Sequence, residues 1–426
     1  MLTNNNVLVP TYVGNSFSRS DLLAKLVFFM IWPFGTFLWS VLEANKKSSY
    51  VIFFLFGILF CWNMAPRETE RYDDFLGMVN LFESTHYSSD EIVEQIEDYI
   101  TFDQDAPKEL YNNILIWFTK LFSNNYHLYF AFASIVYLIF MLGSLKTITD
   151  DPKFKMCFFG LIILMLFVIP RDLITVQNPR YTTGLWLNIF CTLKYYSAYK
   201  IKNRLIYPFI ILFSPFFHSG MWLYVGLFWG LSLLSKLNFP MRTALILFYI
   251  SIPFSYLSYE ILANYSVDLL PIPNAYKATF TSYTSEATFE KYNTEGTGFT
   301  WLQNTFDFVK ITFYASLPYF LYKYRDMAKD KRTQHFLTYL FLFGAIVNFI
   351  QSVPVLGLRY SYFFQILVIY TWYKIVYPRK SKLLLFGLAG WTFYIINRYF
   401  YKGAVSVCVP PDIWVLPAPI IFVQNL

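Results

Sequence analysis

The chain has 426 residues, of which 56% are hydrophobic, 22% aromatic and only 14% charged. A soluble domain of this length carries nearly twice that charge, so composition excludes an ordinary water-soluble enzyme. The formal net charge of +7 sits in alternate short loops, a pattern that points to orientation in a membrane rather than to nucleic acid.

The first twenty residues, Met1 to Ser20, are polar and lack a basic segment followed by an apolar core, so no cleaved signal peptide is expected. Apolar runs of about 15–21 residues then recur to the end of the chain, where a bilayer core needs roughly 20 helical residues. They predict spans at about Leu22–Leu42, Tyr50–Ala65, Tyr126–Leu145, Met156–Pro170, Tyr181–Ala198, Leu205–His218 and Gly220–Leu234. The series continues at Thr243–Leu262, Trp301–Tyr322, Phe336–Val353, Ser361–Ile375 and Leu383–Phe400. The expected fold is an all-α polytopic integral membrane protein of about 12 transmembrane helices, forming a single transmembrane domain over 1–426. Cys61, Cys157 and Cys191 fall within spans and Cys408 outside them, so neither a disulfide framework nor a metal-ligand spacing is present.

Lysine and arginine set the orientation. Lys46 and Lys47; Lys146, Lys153 and Lys155; Lys200, Lys202 and Arg204; Lys236 and Arg242; Lys323 to Arg332; and Arg379 to Lys382 all fall in loops of one parity. Those loops are expected to face the cytoplasm, with both termini outside. Two outer loops are long, about 66–125 and 264–300. In the first, Ser88 and Glu91 stand at capping-box spacing before Ile92, Val93, Ile96, Tyr99 and Ile100, which predicts an amphipathic surface helix. Asp105-Ala106-Pro107 is read as the opening of a second helix that runs through Leu121.

No phosphate-binding glycine loop, H-E-x-x-H or Gly-x-Ser-x-Gly motif is present. What stands out instead is a set of ionisable groups at the outer boundary: Arg67, Asp73, Asp74, Arg180, His218 and Arg359. Such groups at membrane depth are costly without partners, so their collection at one face is a site hypothesis. Arg180, after Ile169-Pro170-Arg171-Asp172 and Asn178-Pro179, suits a guanidinium that grips phosphate through two parallel hydrogen bonds. The plainer alternative is a snorkelling arginine. His218, in Phe217-His218-Ser219-Gly220, is either a general base or phosphate partner, or a hydrogen-bonded helix-end histidine. Arg359, beside Tyr360, adds a third cation. Asp73 and Asp74 offer a carboxylate base, while Glu68 and Glu70 read as solvated surface. Asp307 and Lys310 most simply pair with each other. Tyr276, Tyr283, Tyr292 and Trp301 either stack on sugar rings or pack the second loop against the interface.

These residues also carry a family likeness. An arginine with an acidic-aromatic cluster (Arg67 to Phe75), a membrane-entering Arg180, a basic turn (Lys200 to Arg204), Phe217-His218-Ser219 and Arg359-Tyr360 follow one another in order. The chain resembles, from about Leu22 to Tyr377, the EpsG family of polysaccharide polymerases, relatives of Wzy-type O-antigen and capsule polymerases. It departs from that pattern at Glu68, where a typical member has glycine soon after the first-loop arginine. It departs again at Tyr181, where glutamine often follows the second. The resemblance implies a membrane glycosyltransferase that joins polyprenyl-pyrophosphate-linked oligosaccharide repeat units on the outer face of the cytoplasmic membrane. It further implies Arg180 and Arg359 as phosphate clamps, Arg67 and Arg171 as helpers, and His218, or else Asp73 or Asp74, as base. Tyr360, Tyr276 and Tyr283 would contact substrate. Arginine in place of a divalent metal means that no metal or other cofactor is expected. Implied partners are membrane lipid, a chain-length regulator and a flippase, with no nucleic acid. The alternatives are a flippase for the same lipid-linked oligosaccharide, which calls for midplane charges and related halves absent here, a related glycan ligase, and a non-catalytic scaffold.

Overall fold

Tyr126–Thr149 is the longest of the described helices, at 24 residues. At 1.5 Å per residue it is about 36 Å long, enough for a bilayer core. The computed structural model describes residues 18–65, 74–151, 154, 156–168, 170, 173–197, 201–254, 274, 276–278, 281, 316–327, 331–353, 356–377 and 412–426. Its elements are helical throughout: α1 Arg19–Ile31, α2 Pro33–Leu42, α3 Lys47–Trp62, α4 Asp74–Ser84, α5 Ser89–Thr101, α6 Tyr111–Lys120 and α7 Tyr126–Thr149. Then follow α8 Phe158–Val168, α9 Pro179–Ser197, α10 Ile201–Ile211, α11 Ser214–Phe217, α12 Met221–Lys236 and α13 Met241–Phe254. The last four are α14 Lys331–Phe349, α15 Leu356–Ile375, α16 Asp412–Val415 and α17 Ala418–Gln424. The expected all-α class is therefore observed.

The count of about 12 spans is not supported. Among the described residues, α7 alone is long and apolar enough to cross a membrane, and the remaining apolar helices have 10–17 residues. Proline is one cause. Pro33 separates α1 from α2, Pro208 lies within α10, and Pro215 opens α11 after a break at 212–213. A proline removes a helical donor and crowds the preceding turn. The expected spans at 301–322 and 383–400 lie largely or wholly outside the described residues.

The run Leu22–Leu42 also needs correction. It is two helices folded back on each other at Trp32, so its two ends meet. Lys25 Nζ lies 2.8 Å from Glu43 Oε2 and 3.4 Å from Asp21 Oδ2. Lys46 Nζ reaches Glu43 Oε1 at 2.8 Å and Asp21 Oδ1 at 3.4 Å. Ser48 and Ser49 hydroxyls stand 3.0 Å from the Lys25 ammonium, and Ser48 donates to Asp21. Gly35 permits the bend, since a Cβ there would run into the Trp32 ring. At the tip, Trp32 Nε1 donates to the Trp414 carbonyl at 2.7 Å, and Trp414 stands edge-on to Phe34.

The helices α7, α9 and α15 run side by side in the same direction, with α9 at the centre. Most of α9 from Tyr181 to Ser197 is buried. One end of the bundle is rich in lysine. Lys374 pairs with Asp151 at 2.5 Å, Lys146 lies 3.9 Å from Asp150, and Arg204 and Lys236 stand over the Tyr195 ring. Tyr50, in the first turn of α3, bonds Thr149 at that same end, which places the ends of the α1–α2 hairpin there too. The first turns of α7, α9, α12 and α15 form the opposite end. The C-terminal α17 reaches that opposite end, where Asn425 Nδ2 donates to Asn63 Oδ1 at 2.8 Å and Asn125 Nδ2 donates to the Asn425 carbonyl at 2.5 Å.

The helix expected after Asp105 begins instead at Tyr111, which leaves residues 102–110 as a connection between α5 and α6. The capping box that starts α5 is present: Ser88 accepts from the Glu91 N–H at 3.2 Å and donates its own N–H to Glu91 Oε2 at 2.7 Å. Cys157, expected inside a span, is exposed one residue before α8.

Candidate functional site

Three helix starts and one connecting segment meet at the end of the bundle opposite the lysines. Asn178-Pro179 explains the first. The Asn178 side chain accepts the Tyr181 N–H at 3.4 Å and proline supplies a ready-made φ, so α9 starts there with Arg180 in its first turn. The turn after α11 explains the second: His218, Ser219 and Gly220 connect it to α12. The third is α15, where Gly357 packs against backbone. A Cβ on it would lie 2.5 Å from the Gln351 carbonyl oxygen and 2.7 Å from the Gln351 Cα, so only glycine lets α15 begin where it places Arg359.

Arg180 and His218 converge on a carboxylate that sequence reasoning missed, and Arg359 stands against His218. Glu109, in the 102–110 connection, has only 5% of its side chain exposed. Its Oε2 accepts from Arg180 Nη1 at 2.8 Å. Its Oε1 accepts from the Ser219 N–H and hydroxyl, each at 3.2 Å, and lies 3.8 Å from His218 Nε2. Burial raises the Glu109 carboxyl. The facing His218, the Arg180 guanidinium and the Ser219 N–H outweigh that and hold it below its ordinary value of 4.5. The group is therefore ionised, a resident anion in a ring of donors.

His218 is buried, and donors face both of its ring nitrogens. The Gly220 N–H lies 3.0 Å from Nδ1 and Arg359 Nη1 lies 3.2 Å from Nε2, so a neutral ring can accept from only one of them. Glu109 Oε1 lies 3.8 Å from Nε2, beyond hydrogen-bond reach. Gly220 is fitted to this contact, because a Cβ there would lie 3.1 Å from Nδ1.

Tyrosines fix the frame. Tyr181 donates to the Arg359 carbonyl at 2.6 Å, its ring lies 5.0 Å below the Arg359 guanidinium, and it stands edge-on to His218. Tyr360 donates to the Gly220 carbonyl at 2.7 Å. Tyr276 donates to the Lys108 carbonyl at 3.0 Å and accepts from Trp222 Nε1 at 3.4 Å. Its hydroxyl therefore anchors the main chain next to Glu109. The Arg180 Nε is buried and without a hydrogen-bond partner.

Of the residues singled out from sequence, Arg180, His218, Arg359 and Tyr360 are thus brought together, with Tyr276 at the edge. Arg67, Asp73, Arg171, Tyr283, Tyr292, Trp301, Asp307 and Lys310 lie outside the described residues, as does the side chain of Asp74 at the start of α4. The one local signal that could have singled out Glu109 is its place just before Leu110 and Tyr111, unlike the acids within α5. Beside the knot, a cavity of about 590 Å³ is lined by apolar residues that include Ile96, Phe102, Leu110, Phe213, Phe217 and Trp222.

No protein-family model matches this chain, no curated protein matches it, and no solved structure matches it.

Proposed function

We propose that the chain is a membrane glycosyltransferase of the EpsG kind, polymerising polyprenyl-pyrophosphate-linked oligosaccharide into surface polysaccharide. The observation that carries this reading is the convergence of Arg180 and His218 on one buried carboxylate, with Arg359 3.2 Å from the His218 ring. In the reaction the anomeric carbon–oxygen bond to the pyrophosphate breaks, the acceptor hydroxyl oxygen bonds to that carbon, and its proton passes to a base. Charge develops on the departing phosphate oxygens. Guanidinium groups already fixed where water is scarce stabilise that charge most. Arg180 and Arg359 take this role, with His218 between them. The adjoining apolar cavity suits the first isoprene units of the lipid.

The lysine-rich end is then cytoplasmic and the knot faces outward. The fold-back of α1 and α2 keeps Asp21 beside Lys46, so in this topology the N-terminal side of α1 is cytoplasmic and α17 is outside. That replaces the expectation of two outward termini. The remaining expected crossings, about 11 once the Leu22–Leu42 hairpin is set aside, belong to the same proposal, with short helices accommodated by local thinning and snorkelling.

The test is a reconstitution. Purified protein in a bilayer receives a lipid-linked repeat unit, and product length is read on a gel. Arg180→Lys and Arg359→Lys are expected to abolish the ladder, because a point charge does not replace a bidentate fork. A scaffold tolerates both. Unchanged polymer length in stably expressed variants defeats the assignment.

A further inference from the structure

The knot around Glu109 has the form of an occupied anion site. Three donor groups converge on a single carboxylate: Arg180 Nη1 at 2.8 Å and the Ser219 N–H and hydroxyl, each at 3.2 Å, with His218 Nε2 3.8 Å away. Backbone N–H, hydroxyl and guanidinium are the donors that bind phosphate oxygens elsewhere. The carboxylate they hold is not carried by a helix. Glu109 sits in the connection between α5 and α6, whereas the donors sit at helix starts tied to one another by Tyr181 and Tyr360. The donors are thus tied to one another without Glu109, and since Tyr276 holds the main chain beside Glu109, exchange needs only its side chain to swing away. The buried Arg180 Nε, still without an acceptor, adds a fourth donor that a carboxylate on Nη1 does not use and that a tetrahedral phosphate group can reach.

We infer that Glu109 is a resident anion that fills the diphosphate pocket and is exchanged for the substrate's phosphate when the donor lipid binds. This inference rests on the proposed function for the diphosphate class and goes beyond it in naming a carboxylate that competes with the substrate for the same donors. Exchange also supplies the reaction with a base. Released from Arg180 and Ser219, Glu109 is an ionised carboxylate beside the new diphosphate. It takes the proton from the acceptor hydroxyl while the electron pair of the breaking anomeric bond leaves on the diphosphate, now held by Arg180. One carbon–oxygen bond forms, one breaks, and the proton ends on Glu109.

The experiment measures binding by the purified full chain of two probes, inorganic pyrophosphate and a short prenyl diphosphate, in wild type, Glu109→Gln and Glu109→Asp. A site mostly closed by its own anion binds weakly in proportion to the closed fraction, so Glu109→Gln is expected to tighten pyrophosphate by at least about tenfold. Glu109→Asp, shorter by one methylene and so a poorer partner for Arg180, is expected to tighten it less. It serves as the readout if the glutamine variant does not fold. Turnover of lipid-linked substrate is expected to fall in Glu109→Gln although binding improves, a split that a merely structural carboxylate does not produce. Unchanged or weaker pyrophosphate binding in the folded variant overturns the exchange while leaving the diphosphate pocket standing. No diphosphate binding by wild type and Glu109→Gln alike sinks both the exchange and the proposed function. Tighter binding of the prenyl probe than of pyrophosphate supports the lipid-linked source, and equal binding overturns that part.

Discussion

Two buried charge clusters stand at opposite ends of this bundle, and they are built on opposite plans. At the lysine-rich end, Lys25 is wholly buried, while its partners Asp21 and Glu43 keep 21% and 27% of their side chains exposed. Two lysines meet two carboxylates there, and serine hydroxyls complete the coordination. All the partners come from one short stretch of chain, and they clamp the ends of a hairpin. At the other end the carboxylate is the buried member, and its donors come from α9 and the turn before α12, with Arg359 of α15 packed against His218. The first cluster is a closed local staple. The second is a long-range cage assembled around an anion. An ion pair that closes a hairpin needs only charge balance, whereas a cage that spans three helices has an interior, and an interior can change its occupant.

Substitutions separate the two plans. The largest effect is expected at the cage. Arg180→Lys or Arg359→Lys should lower the polymerisation rate by about 10²-fold or more, the scale of losing one preorganised donor, as measured by single-turnover assays with lipid-linked substrate. Next comes Gly357→Ala, which forces α15 off the Gln351 backbone and Arg359 with it. A loss of about 1–3 kcal/mol in stability is expected from overpacking, read by thermal denaturation in detergent, together with loss of polymer. At the staple, Lys25→Met should cost a similar or smaller amount, about 1–3 kcal/mol for carboxylates left short of a donor. Synthesis per folded molecule should stay unchanged; a drop in that ratio would join the two clusters functionally. The smallest effect is at Ser88→Ala, about 1 kcal/mol for a lost helix cap, read as faster amide exchange confined to the start of α5.

Acid sharpens the contrast further. The Glu109 carboxyl is held below its ordinary 4.5 in the folded chain, so its ionised form is favoured by folding. That contribution is fully present above 4.5 and is lost as pH falls through the lowered folded value. Melting temperature followed from neutral to acid pH should show this loss in wild type and a smaller one in Glu109→Gln. Equal slopes would remove Glu109 from the acid response.

What the sequence revealed followed range. The Ser88 and Glu91 box was legible because its partners are three residues apart. Arg180, His218 and Arg359 were legible as a group because alternation of helix direction returns the chain to one end of the bundle. Glu109 was not, since its partners lie 71 and 110 residues downstream, and an acid in a polar loop reads as solvated until a fold buries it. The bend at Trp32-Pro33 was hidden for another reason. Two short apolar arms and one long span have the same hydropathy, and only the proline at residue 33 marked the difference. The pairing of Lys25 with Glu43 then depended on that bend. The short helices explain why counting apolar runs overstated the number of full-length spans.

The hydroxyls of Tyr181 and Tyr360 end on main-chain carbonyls, those of Arg359 and Gly220. A link from a side chain to a carbonyl does not depend on the identity of the residue that owns the carbonyl. The mutual spacing of these turns should therefore survive exchange of the guanidinium or imidazole groups they present. Kinetic defects in such variants can then be interpreted as altered bonding to the ligand, not as a collapsed scaffold.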